Sequence, residues 1–148
     1  MAEGWLNRLA GERFEVLSAG IAPKGLHPLA IEVMREVGID ISRQQSKHVR
    51  QFLGVSVGYV ITVCDNAREH CPLFPGDYTY LHWGLDDPVA AGGSDEQKLA
   101  VFRTVRDQIA SRVREFVTYK RVIILFGCLL PRSAKMQLND SFSAGWPR

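Results

Sequence analysis

Val57-Gly-Tyr-Val-Ile-Thr-Val63 runs directly into Cys64. The run is almost continuously apolar and β-branched. That pattern suits a strand covered on both faces, as in a parallel sheet. Around it, residues 13–19 (Arg-Phe-Glu-Val-Leu-Ser-Ala) and residues 78–83 (Tyr-Thr-Tyr-Leu-His-Trp) also read as strands. Between and beyond the strands lie helical patterns. Residues 1–11 carry an apolar stripe of Trp5, Leu6 and Leu9, with Gly11 to end it. Residues 28–37 open on Pro28 and stop at Gly38. Residues 39–56 are irregular, with one helical turn around His48–Leu53. Residues 95–117 place Leu99, Phe102, Val105, Ile109, Val113 and Phe116 three or four apart, an amphipathic helix. Strands alternating with helices predict an α/β fold, a parallel sheet with helices on both faces.

In an open sheet of this kind, ligands bind at the carboxyl ends of the strands. After the first strand come Ser18-Ala19-Gly20. After the second comes Cys64-Asp-Asn-Ala-Arg-Glu-His-Cys71-Pro72, and after the third Gly84-Leu-Asp86-Asp87-Pro88. Two thiols and a carboxylate pair therefore project to one edge. Cys64 and Cys71 are seven apart. They read equally well as a reversible disulfide pair, provided the segment between them loops or unwinds, or as two unrelated small hydrophobes. A zinc site drawing on His70 or His82 ranks last, because the spacing exceeds the two to four residues usual between paired Cys ligands. Asp87 before Pro88 is either a plain turn or a general acid held near an oxyanion. His27, His48 and His70 read as loop residues, and His82 as a hydrogen-bonded structural residue rather than a ligand.

The 148 residues are 46% hydrophobic and 23% charged, enough for one globular domain and unlike a disordered or fibrous chain. A net charge of +2 is too balanced for a nucleic-acid binder. The charge is unevenly spread. Residues 1–118 hold 13 basic and 15 acidic side chains, and residues 119–148 hold 5 basic and 1 acidic. No apolar run is long enough to span a bilayer, and the N-terminus lacks a secretory pattern. Three cysteines, an odd number, favour a reducing compartment, the cytoplasm by default.

Six segments together resemble the thioredoxin-coupled arsenate reductases of the low-molecular-weight protein tyrosine phosphatase superfamily. They are Met1-Ala-Glu-Gly-Trp5, Phe14-Glu-Val-Leu-Ser-Ala-Gly20, Gly38-Ile-Asp-Ile-Ser42, Val60-Ile-Thr-Val-Cys64, Cys71-Pro-Leu-Phe-Pro75 and His82-Trp-Gly-Leu-Asp-Asp-Pro88. The resemblance covers about residues 1–118. Phosphatases of the superfamily usually carry an Asp-Pro-Tyr motif and lack the Cys pair, whereas Val89 follows Pro88 here. The resemblance implies a thiol cascade. A first Cys in a Cys-x5-Arg loop attacks arsenate, and Asp87 helps an oxygen leave as water. Cys64 then attacks the first sulfur and releases arsenite, and Cys71 attacks Cys64 to leave a disulfide for thioredoxin to reduce. The ligand implied is arsenate or a phosphate-like oxyanion, with no bound cofactor. Glu3 and Ser18 sit where some members hold a cation, but Lys47 stands where an acid would be expected, so no metal is assigned.

In the family, the Met-Ala-Glu-Gly segment directly follows the Cys-x5-Arg loop. The expectation is therefore a fold whose first strand and nucleophile loop are missing, leaving this chain unable to reduce arsenate alone. Residues 119–148 read as an atypical basic tail. Residues 122–127, leading into Cys128 and Arg132, are a candidate substitute strand beside residues 57–63, although Cys-x3-Arg is two residues short. The competing readings are a low-molecular-weight tyrosine phosphatase and a non-catalytic remnant or binding module of the same fold.

Overall fold

The computed structural model describes the backbone of residues 1–129 and the side chains of residues 1–119. In chain order it contains α1 (Ala2–Ala10), α2 (Pro28–Glu36), β1 (Tyr59–Thr62), α3 (Asp65–Glu69), β2 (Thr79–His82) and α4 (Asp95–Leu129). Short 3₁₀ turns lie at Val49–Phe52 and Pro88–Ala90. β1 and β2 pair in parallel, with Tyr59 level with Thr79 and Thr62 level with His82. This is the α/β arrangement that the apolar run over residues 57–63 predicts.

Each helix has a local cause. α2 starts at Pro28, whose fixed φ suits the first turn. The ring of His27 caps it, Nδ1 accepting from the Leu29 N–H at 3.2 Å. Gly38 has φ +74, a left-handed conformation that ends a helix cheaply only with glycine. α4 opens on a reciprocal cap: Ser94 N–H donates to the Gln97 side chain at 2.8 Å, and Gln97 N–H donates to Ser94 Oγ at 3.3 Å.

α1 and α2 both pack on α4. Their shared core holds Trp5, Met34, Ile39, Ile41, Trp83, Val105, Ile109, Val113 and Phe116, and Tyr59, Ile61 and Leu81 of the sheet pack against it. Gly4 lies so close to this core that an added Cβ would meet Ile41 at 2.8 Å. Thr62, Tyr80 and His82 hydrogen-bond to one another on the other face of the sheet.

Two expectations do not hold. Residues 13–19 do not form a strand among the described residues. The segment is extended, but its one ladder-like link is the bridge from Gly20 to His48. A strand needs a partner along its length, and a cavity of about 180 Å³ separates Leu17 and Ala19 from β1. Residues 122–127 are not a strand beside β1 either; α4 continues through them to Leu129. Extending a helix adds a hydrogen bond for each residue fixed, whereas a new strand must first close a loop back to the sheet.

An ion cluster ties α2 to α4. The buried Arg106 donates from Nη1 to the Val33 carbonyl at 3.0 Å and to Glu36 at 2.9 Å, and its Nε and Nη2 hold Asp107 at 2.7 and 3.0 Å. Arg103 completes the cluster on Glu36. Hydrogen bonding from Arg103, with Arg106 second, lowers the Glu36 pKa, and Arg106 lowers that of Asp107. Depressed carboxylates stabilise the fold above their unfolded pKa values and lose that contribution as pH falls through the folded ones. Arg106→Ala removes a buried guanidinium that holds the Val33 carbonyl as well as the two carboxylates, and should cost about 2 kcal/mol at pH 7. In urea unfolding the deficit should shrink below about pH 4. A deficit unchanged at pH 3 would assign the effect to packing instead.

Candidate active site

The parallel register of β1 and β2 brings the segments after both strands to the same edge. Val63 and Leu85 are joined there by a backbone bond of 2.9 Å, which continues the ladder past the strand ends. Cys64 follows in extended conformation, φ −147 and ψ 160, and is the residue from which α3 departs. Its carbonyl accepts from the Arg68 N–H at 3.1 Å, closing the first turn. Cys71 lies two residues beyond the end of α3.

Both cysteines are free thiols and half-buried. Cys71 lines the cavity beside β1, together with Ala19, Gly20, Thr62, Val63 and Phe74. Its Sγ faces the Pro72 carbonyl at 3.7 Å, and burial pushes its thiol pKa up. α3 takes up five of the six residues between Cys64 and Cys71. A helical path rises about 1.5 Å per residue and holds its ends apart, whereas a disulfide needs Cα atoms within about 7 Å, so a formed α3 favours the dithiol.

Asp87 is exposed and caps the 3₁₀ turn Pro88–Ala90, its Oδ1 accepting from the Val89 N–H at 3.0 Å. That bond fixes the carboxylate's direction and leaves Oδ2 for a ligand. Asp86 lines a separate cleft with Trp83, Asp107 and Arg112. His82 is held on both ring nitrogens, by Thr62 at 2.9 Å and Asp65 at 3.1 Å, as expected of a satisfied structural histidine. His27 and His48 cap α2 and the turn at Val49–Phe52. Ser18 donates to Glu3, and Lys47 lies over the Phe52 ring. Among the described residues, no three His, Cys, Asp or Glu side chains gather as a metal site requires. None of the described helices is long and apolar enough to cross a membrane. Sequence reasoning passed over α3 and Asp65; the available signal was an acidic residue directly after Cys64, where a helix start favours negative charge.

A family profile for low molecular weight phosphotyrosine protein phosphatases matches residues 1–122. The chain belongs to that family. Within it, the chain is 46% identical to an arsenate reductase of Halalkalibacterium halodurans over 116 residues, covering 78% of this chain and 84% of that protein. It is 44% identical to the Bacillus subtilis arsenate reductase over the same shares. Solved structures agree. An arsenate reductase in its oxidised state superposes with a TM-score of 0.68 at 34% identity, covering 80% of this chain and 86% of that one. An arsenate reductase in its phosphate-binding state gives 0.63 at 34% identity, with the same coverage. Family membership fits the parallel pair β1–β2 and the loop His82–Pro88 that follows it.

Burial at Cys71 has a measurable consequence. A thiol whose pKa is pushed up by burial presents little thiolate near neutrality. Alkylation of Cys71 by iodoacetamide should therefore accelerate close to tenfold per pH unit between about pH 7 and 8.5. A rate that levels off below pH 8, followed by peptide mass, would contradict the raised value.

Proposed function

We propose that this chain acts in the reduction of arsenate to arsenite, with Cys64 and Cys71 carrying the thiol–disulfide steps and Asp87 donating a proton. The observation that carries this reading is the placement of two free, half-buried thiols at the carboxyl edge of a parallel strand pair, joined by one short helix. Asp87 stands on the loop that follows the neighbouring strand.

In the first step a third thiol outside the Cys64/Cys71 pair, the place that the resemblance gives to the Cys of a Cys-x5-Arg loop, condenses with arsenate, and Asp87 gives a proton to the oxygen that leaves as water. The Cys64 thiolate attacks the sulfur of that adduct. A sulfur–sulfur bond forms, the arsenic–sulfur electron pair stays on arsenic, and As(V) becomes As(III), released as arsenite. The Cys71 thiolate then attacks Cys64 and frees the first thiol. The resulting Cys64–Cys71 disulfide is returned to the dithiol by an external dithiol protein, thioredoxin in this reading. The ligand is an oxyanion, arsenate or the phosphate that resembles it. Thiols that must be regenerated suit a reducing compartment, and we place the chain in the cytoplasm. The Cys pair and the exposed Val89 after Pro88 favour reduction over phosphotyrosine hydrolysis.

The relay can be tested without arsenic by offering oxidised glutathione as the sulfur-bound electrophile, with Cys128→Ser to leave two thiols. Cys64 should attack it, and Cys71 should then close the internal disulfide with release of two glutathione thiols. Cys71→Ser should stop at a stable Cys64–glutathione adduct, and reduced thioredoxin should reopen the disulfide of the parent. A Cys71→Ser protein that forms no adduct at Cys64, or a parent that never closes the internal disulfide, would overturn the order of attack.

A further inference from the structure

The start of α3 is fastened to β2 by a contact that the thiol steps leave unused. His82 Nε2 lies 3.1 Å from Asp65 Oδ1, and His82 Nδ1 lies 2.9 Å from Thr62 Oγ1. Thr62 is 4% exposed, and its hydroxyl also meets Tyr80 Oη at 3.0 Å and the Leu81 carbonyl at 3.5 Å. The Asp65 side chain is 81% exposed and that of His82 only 20%. The imidazole therefore stands between the hydroxyl of the buried Thr62, itself bonded to the exposed Tyr80, and a solvated carboxylate. We infer that Asp65 and His82 act as a clamp on α3, positioning residues that hold the Cys64/Cys71 pair in its dithiol arrangement more firmly when His82 is charged. This inference rests on the reading of Cys64 and Cys71 as a redox pair.

Asp65 is the first residue of α3 and the one directly after Cys64. In this proposal closing the disulfide opens α3, which takes up five of the six residues between the two cysteines and holds them along a rising path. Opening takes Asp65 out of the backbone conformation in which it meets His82. Whatever strengthens Asp65–His82 therefore favours the dithiol.

The network accepts either protonation state. With neutral His82, Nε2–H donates to Asp65 and Nδ1 accepts from the Thr62 hydroxyl, which in turn accepts from Tyr80. With charged His82, Nδ1–H donates to Thr62, whose own proton turns to Tyr80 or to the Leu81 carbonyl. No polar group is left unsatisfied in either case, so protonation adds a charge–charge attraction to Asp65 without a burial penalty at Thr62. Histidine is the side chain that changes charge between about pH 5 and 8. Asp65 is the one charged group in contact with the ring among the described residues. Arg68 and Glu69 on α3, and Asp86 and Asp87 after β2, form no ion pair with it there.

The test is the equilibrium of the Cys64/Cys71 pair with reduced and oxidised glutathione, in the Cys128→Ser protein, at pH 6 and pH 8. Asp65→Asn keeps an acceptor for His82 and removes the charge. It should raise the disulfide-forming constant about two- to fivefold at pH 6, the range of a partly exposed ion pair, and change it less than about twofold at pH 8. Loss of negative charge at the helix start acts equally at both pH values, so the pH dependence isolates the pair. Asp65→Glu should behave as the parent, and His82→Gln should abolish the difference between the two pH values. Equal constants for parent and Asp65→Asn at both pH values would overturn the clamp while leaving the redox pair standing. If no variant forms the disulfide, the redox reading itself fails. The clamp is then decided by amide exchange at Arg68 and His70 in the reduced protein at pH 6. Exchange two- to fivefold faster in Asp65→Asn supports it, and unchanged exchange overturns it.

Discussion

The parallel register of β1 and β2 is the constraint on which the site depends. Because Thr62 pairs with His82, both chains leave the sheet at the same edge, and the ladder continues through the bond from Leu85 to Val63. A slip of one residue would turn His82 and Tyr80 away from Thr62 and toward the helices, since side chains alternate along a strand. The face that packs on the helices, with Tyr59, Ile61 and Leu81, keeps that register fixed through the core built on Trp5, Met34, Trp83 and Phe116. The polar face is then free to carry Thr62, Tyr80 and His82. The same pairing that makes the core thus delivers Cys64, Asp65 and the loop bearing Asp87 to one place.

On that frame, α3 is a weak element. It has five residues, no buried side chain, and a backbone held by few bonds. Helices this short have little stability of their own. What keeps α3 formed is its attachment at one end, where Cys64 leaves β1 and Asp65 meets His82. The other end, near Cys71, makes local hydrogen bonds to the Pro72 and Asn66 carbonyls and borders the cavity beside β1. A short element fastened to the sheet at its start and bordering a cavity at its end suits a thiol pair that must be apart when reduced and joined when oxidised.

Much of this is legible in the sequence, for identifiable reasons. The run Val57–Val63 declares a strand because it is apolar, β-branched and too short for a helix, with turn-forming residues on both sides. The stripe from Leu99 to Phe116 declares α4 in the same way. Cys64, Cys71 and Asp87 are visible because the segments that carry them follow strands and are rich in turn-forming residues. The segment 13–19 misleads because apolar pattern reports burial, whereas strand formation needs a partner in space. Residues 122–127 mislead because β-branched residues also continue a helix already under way. Asp65 is hidden for a different reason. Its partner is 17 residues away, and only the register of the sheet brings the two together.

Closing the Cys64–Cys71 disulfide should open α3 while β1 and β2 keep their register. A solution NMR structure of the oxidised chain tests it most directly. The Cα atoms of Cys64 and Cys71 should lie within about 7 Å, with the helical hydrogen bonds over Asp65–Glu69 broken and the pairing of Thr62 with His82 retained. A disulfide formed with α3 intact, or formed only with the β1–β2 ladder broken, would contradict it.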